Sequence, residues 1–285
     1  MSLFPRTVVG GVSVSRMIIG TNWFLGWSHC TNAKDQLIHT YARNPKHIAD
    51  ILEVFFNAGV DTILGDIVHD DLYYGIQEAQ QRTGVRAIMI STPGLPFDAS
   101  TPAQGFDSAL VGKTLDFAAS RDVTFLLPHQ ATTDAMLDLA SRKIRQMDGV
   151  CRMIREHGMI PGLSTHAPEA IIYADESGLD VETYLCIYNA MAFLMHVEVD
   201  WTAKLINEAK KPVIAFKTMA AGQIRPFQAM HFVWNTIRPR DMVAVGVMTP
   251  MEAQELIDMS LQILDGQERQ IELQTTRSKQ SVIPR

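Results

Sequence analysis

Cysteine is scarce: Cys30, Cys151 and Cys186 are three in 285 residues. An odd number without CxxC spacing excludes a fully paired disulfide scaffold and argues against a zinc ribbon. Long apolar runs are missing as well. Stretches such as MVAVGVM, residues 242–248, fall far short of the roughly 18 residues a spanning helix needs. The opening MSLFPRTVV lacks the apolar stretch of a signal peptide, so a cytoplasmic protein with no membrane contact is expected. Blocks of one charge are also absent. The formal net charge of -6 is spread along the chain, with no basic arm or patch for nucleic acid, so the expected partner is a small molecule.

What the chain does have is apolar residues, 47% of the total against 20% charged, enough for a large core. Short β-rich runs begin near Met17, Asp61, Arg86, Val123, Met159, Tyr184, Pro212 and Met242. Between them lie segments such as HIADILEVFFN, residues 47–57, whose apolar positions recur three and four apart. Gly59, Gly84 and Gly158 sit where a helix must stop before the next strand begins. Eight βα units in one order predict a single (β/α)8 TIM barrel over residues 1–285, with an open doubly wound sheet as the alternative. Residues 1–16 read as an N-terminal β-hairpin that could plug the barrel's bottom. Residues 26–44 form an extended first βα loop, read as a cap over the mouth, and residues 267–285 form a polar tail. Apolar helix faces leave a homo-oligomer open.

In such a barrel chemistry gathers at the carboxyl ends of the strands. Those ends supply Asn22, Trp23 and His29, then Asp66 and His69, then Thr92, His129, Ser164, Thr165 and His166. Asn189, Lys217, Thr218 and Thr249 complete the ring. Four histidines and a carboxylate in one ring suit a divalent metal, zinc, manganese or iron, with Asp66, His69, His129 and His166 as candidate ligands. A hydrogen-bonded polar cleft without metal is the plainer alternative, since no HExxH-type motif is present. Trp23, Phe24 and Trp27 could wall a sugar-like ligand or simply pack a lid. Cys30 has no dedicated base beside it in sequence, and the methionines at helical spacing read as core.

Three stretches resemble the aldo-keto reductase superfamily. VGGVSVSRMIIGTNWFLG is similar to that family's hairpin and first strand. VTFLLPHQATTD with PGLSTHAPEAIIYADESGLDVETYLCIYN resembles its fourth to sixth strands, and PVIAFKTMAAGQI with VAVGVMTPMEAQELI resembles its seventh and eighth. The resemblance implies an NADP(H)-dependent reaction using an aspartate, a tyrosine, a lysine and a histidine, with the tyrosine as proton donor. Carried over, the histidine is His129 and the tyrosine Tyr74. Leu64 stands at the aspartate's place with Asp66 two residues on, and Pro93 stands at the lysine's place.

These departures place NADP(H) behind a metal or no cofactor. Glu252 and Glu255 stand in the eighth-strand loop where NADP-using members present basic residues, although amides around Thr249 and Met251 could hold a phosphate. Lys217 is read as a substrate-positioning cation more readily than a covalent one, as some relatives of the family resemble this chain there. The expected catalytic set is His129, Asp66, Tyr74 and Lys217, with Asn22, Trp23, His29, Thr92, Ser164 and Asn189 binding substrate. The expected function is non-redox acid-base or metal-assisted chemistry, of lyase, isomerase or hydrolase type, on a sugar-like or hydroxy-carbonyl compound. An NADP-dependent oxidoreductase with a rearranged site and a non-catalytic ligand-binding protein are the alternatives.

Overall fold

The computed structural model describes residues 3–96 and 105–266. Its first two strands, β1 (Arg6–Val9) and β2 (Val12–Ser15), pair antiparallel as the expected hairpin. The barrel strands follow as β3 (Met17–Gly20), β4 (Thr62–Gly65), β5 (Ile88–Ser91) and β6 (Phe125–Leu126). After a short antiparallel ribbon, β7 (Leu137–Asp138) with β8 (Lys143–Ile144), come β9 (Ile160–Pro161), β10 (Leu163–Thr165), β11 (Tyr184–Ile187), β12 (Val213–Phe216) and β13 (Met242–Val245).

The barrel sheet contains nine of these pieces in the order β10-β11-β12-β13-β3-β4-β5-β6-β9, all paired parallel. Its two ends, β9 and β10, are separated in sequence by Gly162 alone, so they are one strand broken at a single residue. That strand pairs with β6 through its first half and with β11 through its second, which closes a ring of eight. Glycine is required at the break because a Cβ there would lie 2.8 Å from Thr183 O and 2.9 Å from Leu127 Cγ.

Inside the ring, alternate residues of the strands form one apolar cluster, including Ile18, Leu64, Ile90, Phe125, Leu185, Ile214 and Ala244. Val9 and Val14 of the hairpin join it, so the hairpin seals the end opposite the strand carboxyl termini. Near the strand amino ends Asp241 is fully buried and accepts from Val213 N at 2.8 Å and from the Arg238 side chain, a staple rather than a reactive group.

Helices cover the outside through a second, larger cluster. The helix α1 (Asn22–Leu25) follows β3 directly. Residues 26–44 are not only loop, for they contain α2 (Asn32–Tyr41), begun by the Thr31 side chain accepting from Lys34 N. The sequence concealed this helix because only Ile38 on it is buried, so it carries almost no apolar stripe. By contrast, α3 (Pro45–Asn57) buries Ile48, Ile51, Leu52, Phe55 and Phe56 after an Asn44 cap and an initial proline. The next helix, α4 (Asp70–Thr83), packs against α3. The expected tail at 267–285 lies outside the described residues.

Candidate functional site

A cavity of about 310 Å³ opens at the carboxyl ends of the strands. Leu64, Phe216 and Ala244, from the barrel's interior cluster, form its floor. Asn22, Trp23, Trp27 and His29 wall it on one side, and Lys217, Thr218, Met219, Ala221 and Gly222 on another. Leu64 thus explains its own identity: at the place the family resemblance gives to an aspartate, this chain has an apolar residue packed into the barrel and 8% exposed.

Among the described residues Lys217 is the only lysine or arginine lining this cavity. Among the described residues no hydrogen bond or ion pair engages its ammonium, which lies 5.5 Å from the Phe216 ring centroid. Burial drives its pKa down to about 8. Its backbone is left-handed, φ 57°, as are Ala220 and Ala221 in the same loop and His29 across the cavity. Such conformations are uncommon for residues other than glycine, and they concentrate where structure around them fixes a functional group. Beside Lys217, Thr21 and Thr218 line the same cavity, and their buried hydroxyls have no hydrogen-bond partner among the described residues.

Around this amine stand the expected histidines. His129 is held down as an acid by burial, which outweighs the attraction of Asp66, and Lys217 lowers it further. His29 is lowered by burial and then by Lys217, and His166 is driven to about 4 by burial, then by Lys217, His196, His129 and His29. Asp66 shifts upward because burial outweighs His69, the Val68 amide and His129. The result is an amine and three imidazoles kept neutral within electrostatic reach of one another, with one carboxyl, raised by burial, coupled to them through His129.

Several expected roles come out differently. The proposed metal ligands do not converge, since among the described residues no three His, Cys, Asp or Glu side chains are grouped to hold an ion. Asp66 Oδ2 instead lies 3.8 Å from His69 Nε2, the His129 Nδ1 accepts from Ala131 N, and the His166 ring stacks 5.6 Å from Phe216. Tyr74 is 59% exposed on α4 and does not line the cavity. Asn189 is fully buried, but its side chain is spent on its own loop, accepting from Met191 N and Phe193 N and donating to Phe193 O. Ser164 is buried and Thr92 half-buried, and neither lines the cavity.

The expected phosphate site is partly occupied from within. In the last described helix, α5 (Pro250–Leu264), the Thr249 side chain accepts from Glu252 N while the Glu252 carboxylate accepts from Met248 N at 2.7 Å and Thr249 N at 3.2 Å. This reciprocal cap takes the Met248, Thr249 and Glu252 amides and sets a carboxylate at the helix start, and of the expected phosphate contacts it leaves the Met251 amide. Glu252 and Glu255 also line the cavity, and Met251 is 83% exposed to solvent. The residues present therefore do not fit the phosphate-bearing part of a nicotinamide dinucleotide at this helix.

Sequence reasoning missed Asp134. It is held by Thr165 Oγ1 at 2.5 Å and by His166 N at 3.0 Å, and it fixes the start of the His166 loop. Nothing in its surroundings, QATTDAML, distinguishes it from an ordinary helix aspartate. His196, outside the ring of strand ends, brings its ring to 6.2 Å from that of His166.

No protein-family model matches this sequence, and no curated protein does. Solved structures do resemble it. A proposed aldo-keto reductase from Pseudomonas aeruginosa is 16% identical with a TM-score of 0.67, over 92% of this chain and 97% of that one. A proposed 2,5-diketo-D-gluconic acid reductase B is 14% identical with a TM-score of 0.59, over 98% and 90%. An aldo/keto reductase from Brucella melitensis is 12% identical with a TM-score of 0.56, over 95% of each chain. The chain therefore has the aldo-keto reductase type of barrel. At these identities the likeness extends to architecture, and one architecture hosts many reactions. No described helix is long and apolar enough to cross a membrane.

Proposed function

We propose that this protein is an enzyme that moves protons on a small hydroxy-carbonyl compound without a nicotinamide, in a reaction of lyase or isomerase type. The observation that carries this reading is the unpaired, desolvated Lys217 ammonium in a cavity also lined by His29, with His129 and His166 electrostatically coupled to the same amine. A substrate carbonyl oxygen is the natural partner for that amine, and Thr21 and Thr218 could add hydroxyl donors. His129, with Nδ1 committed as an acceptor, carries its neutral-state proton on Nε2, and with Asp66 nearby it can shuttle the proton lost from the carbon beside the carbonyl. Trp23 and Trp27 provide flat walls suited to a compact sugar-like body. Cys30, Cys151 and Cys186 are all free thiols, in keeping with the cytoplasmic setting expected from sequence.

The test is exchange of carbon-bound hydrogen in D2O, followed by NMR over a panel of hydroxyaldehydes and hydroxyketones with no nicotinamide added. The wild type should exchange at least one of them, and His129→Ala should slow this by about 10²-fold to 10⁴-fold, the usual contribution of a positioned acid-base group. Exchange or turnover appearing only when NADPH is supplied would refute the reading. It would favour instead an NADP-dependent oxidoreductase with a rearranged site, the reading supported by the structural likeness to aldo-keto reductases.

A further inference from the structure

We infer that Lys217 engages its substrate covalently, its Nζ condensing with an aldehyde or ketone to form an imine. This rests on the proposed carbonyl site and names how that site holds its substrate. Three observations point the same way. The amine lines the cavity, so a carbonyl can reach it. No carboxylate among the described residues pairs with it, and a buried lysine left unpaired loses its proton more readily than one held in an ion pair. Its loop holds Lys217, Ala220 and Ala221 in left-handed conformations, which fixes the stem from which the amine projects.

Burial, not a charged neighbour, favours the neutral amine. His29, Glu252 and Glu255 line this space, His129 and His166 couple electrostatically to the amine, and Asp66 couples to His129. None forms an ion pair with Lys217. With its pKa down to about 8, about a tenth of Lys217 is unprotonated at pH 7, roughly 300-fold more than for an ordinary lysine.

The chemistry balances without an added reagent. The Nζ lone pair bonds to the carbonyl carbon as the carbonyl π electrons pass to oxygen, which is protonated, and nitrogen gives up a proton. A second protonation, by the Asp66–His129 side of the site, lets the hydroxyl leave as water while nitrogen re-forms a double bond to carbon. Amine, carbonyl and one proton thus become a protonated imine and one water. That cation draws electrons from the adjacent carbon, which makes its hydrogen removable by a neutral imidazole and unites the amine and the histidines in one sequence of steps.

The experiment is reductive trapping of the full-length protein at pH 7 with dihydroxyacetone and sodium cyanoborohydride, followed by intact mass and tryptic mapping. Hydride adds to the imine carbon and leaves a stable secondary amine. The expected result is one adduct, heavier than the protein by the probe less one water plus two hydrogens, with the tryptic cut at Lys217 lost. Lys217 should label at least about tenfold faster than exposed Lys204, given its larger unprotonated fraction. Lys217→Arg, which keeps the charge, and Lys217→Met should both lose that adduct while keeping the wild-type circular dichroism. Adducts spread evenly over surface lysines, or no adduct, would overturn covalent engagement. If hydrogen exchange in D2O persists in that case, Lys217 acts only as a polarising cation and the proposed function stands; if exchange is absent as well, both fall.

Discussion

Replacing Lys217 by methionine should make the protein more stable while destroying its activity. The ammonium is transferred from water into a partly dry cavity without an ion partner, and its pKa falls from 10.5 to about 8. At 1.36 kcal/mol per unit, that is about 3 kcal/mol of native-state destabilisation wherever the lysine is charged in both states. Methionine keeps the stem's packing and removes the charge. For a chain this long, unfolding entropy of ~0.6 kcal/mol/K converts the gain to a rise in Tm of about 5 °C.

The pH dependence supplies the sign. Below pH 8 the native and unfolded lysines are both protonated, and the deficit is fully present. Between pH 8 and 10.5 the unfolded state holds a proton that the native state has released, so wild-type stability rises with pH through this window and the advantage of Lys217→Met shrinks toward zero. Urea unfolding of both proteins at pH 7 and pH 10 measures this. A variant no more stable than wild type at pH 7, or an advantage equally large at pH 10, would refute the claim that the lysine is desolvated and unpaired.

Three further outcomes follow from the same structure. Glu252→Ala removes one half of the helix cap and should cost about 1 kcal/mol in urea unfolding, and it should give inorganic phosphate a stabilising effect on Tm that the wild type lacks. His166 has its pKa lowered from 6.5 to about 4, so stability should be lost as pH falls through that interval, by up to about 3 kcal/mol; a His166→Phe variant should show a flatter profile in unfolding at pH 7 and pH 4.5. Gly162→Ala should destabilise by about 1–3 kcal/mol in thermal unfolding, because its Cβ meets the Thr183 carbonyl where the strand is broken.

Much of the barrel was legible because its signals are local and repeated. The eight strand starts read from apolar runs fall within about two residues of the observed ones. The helix α2 was not, since it buries Ile38 alone and depends on Thr31 for its start and on Asp35 for its attachment. The site was legible in part. Strand ends pointed to Asp66, His129, His166, His29 and Lys217, and the fold brings these into one field. Their roles depend on where each polar atom spends its hydrogen bonds, which sequence does not record: Asn189 is consumed by its own loop, and Tyr74 faces outward. Thr249 with Glu252 is instructive, because Thr-Pro-Met-Glu is itself a capping signal, so the clue that this helix start is self-satisfied stood in the sequence beside the suggestion of a phosphate site.

The central claim, a carbonyl site on an aldo-keto-reductase-like barrel that works without a nicotinamide, is tested most directly by titrating the purified protein with NADPH while following tryptophan fluorescence, since Trp23 and Trp27 both line the cavity. The account predicts no saturable quenching up to about 1 mM, weaker than a binding free energy of about -4 kcal/mol. Saturable quenching at micromolar NADPH, retained in Lys217→Met and lost when Trp23 is replaced, would place the dinucleotide in this cavity and contradict it.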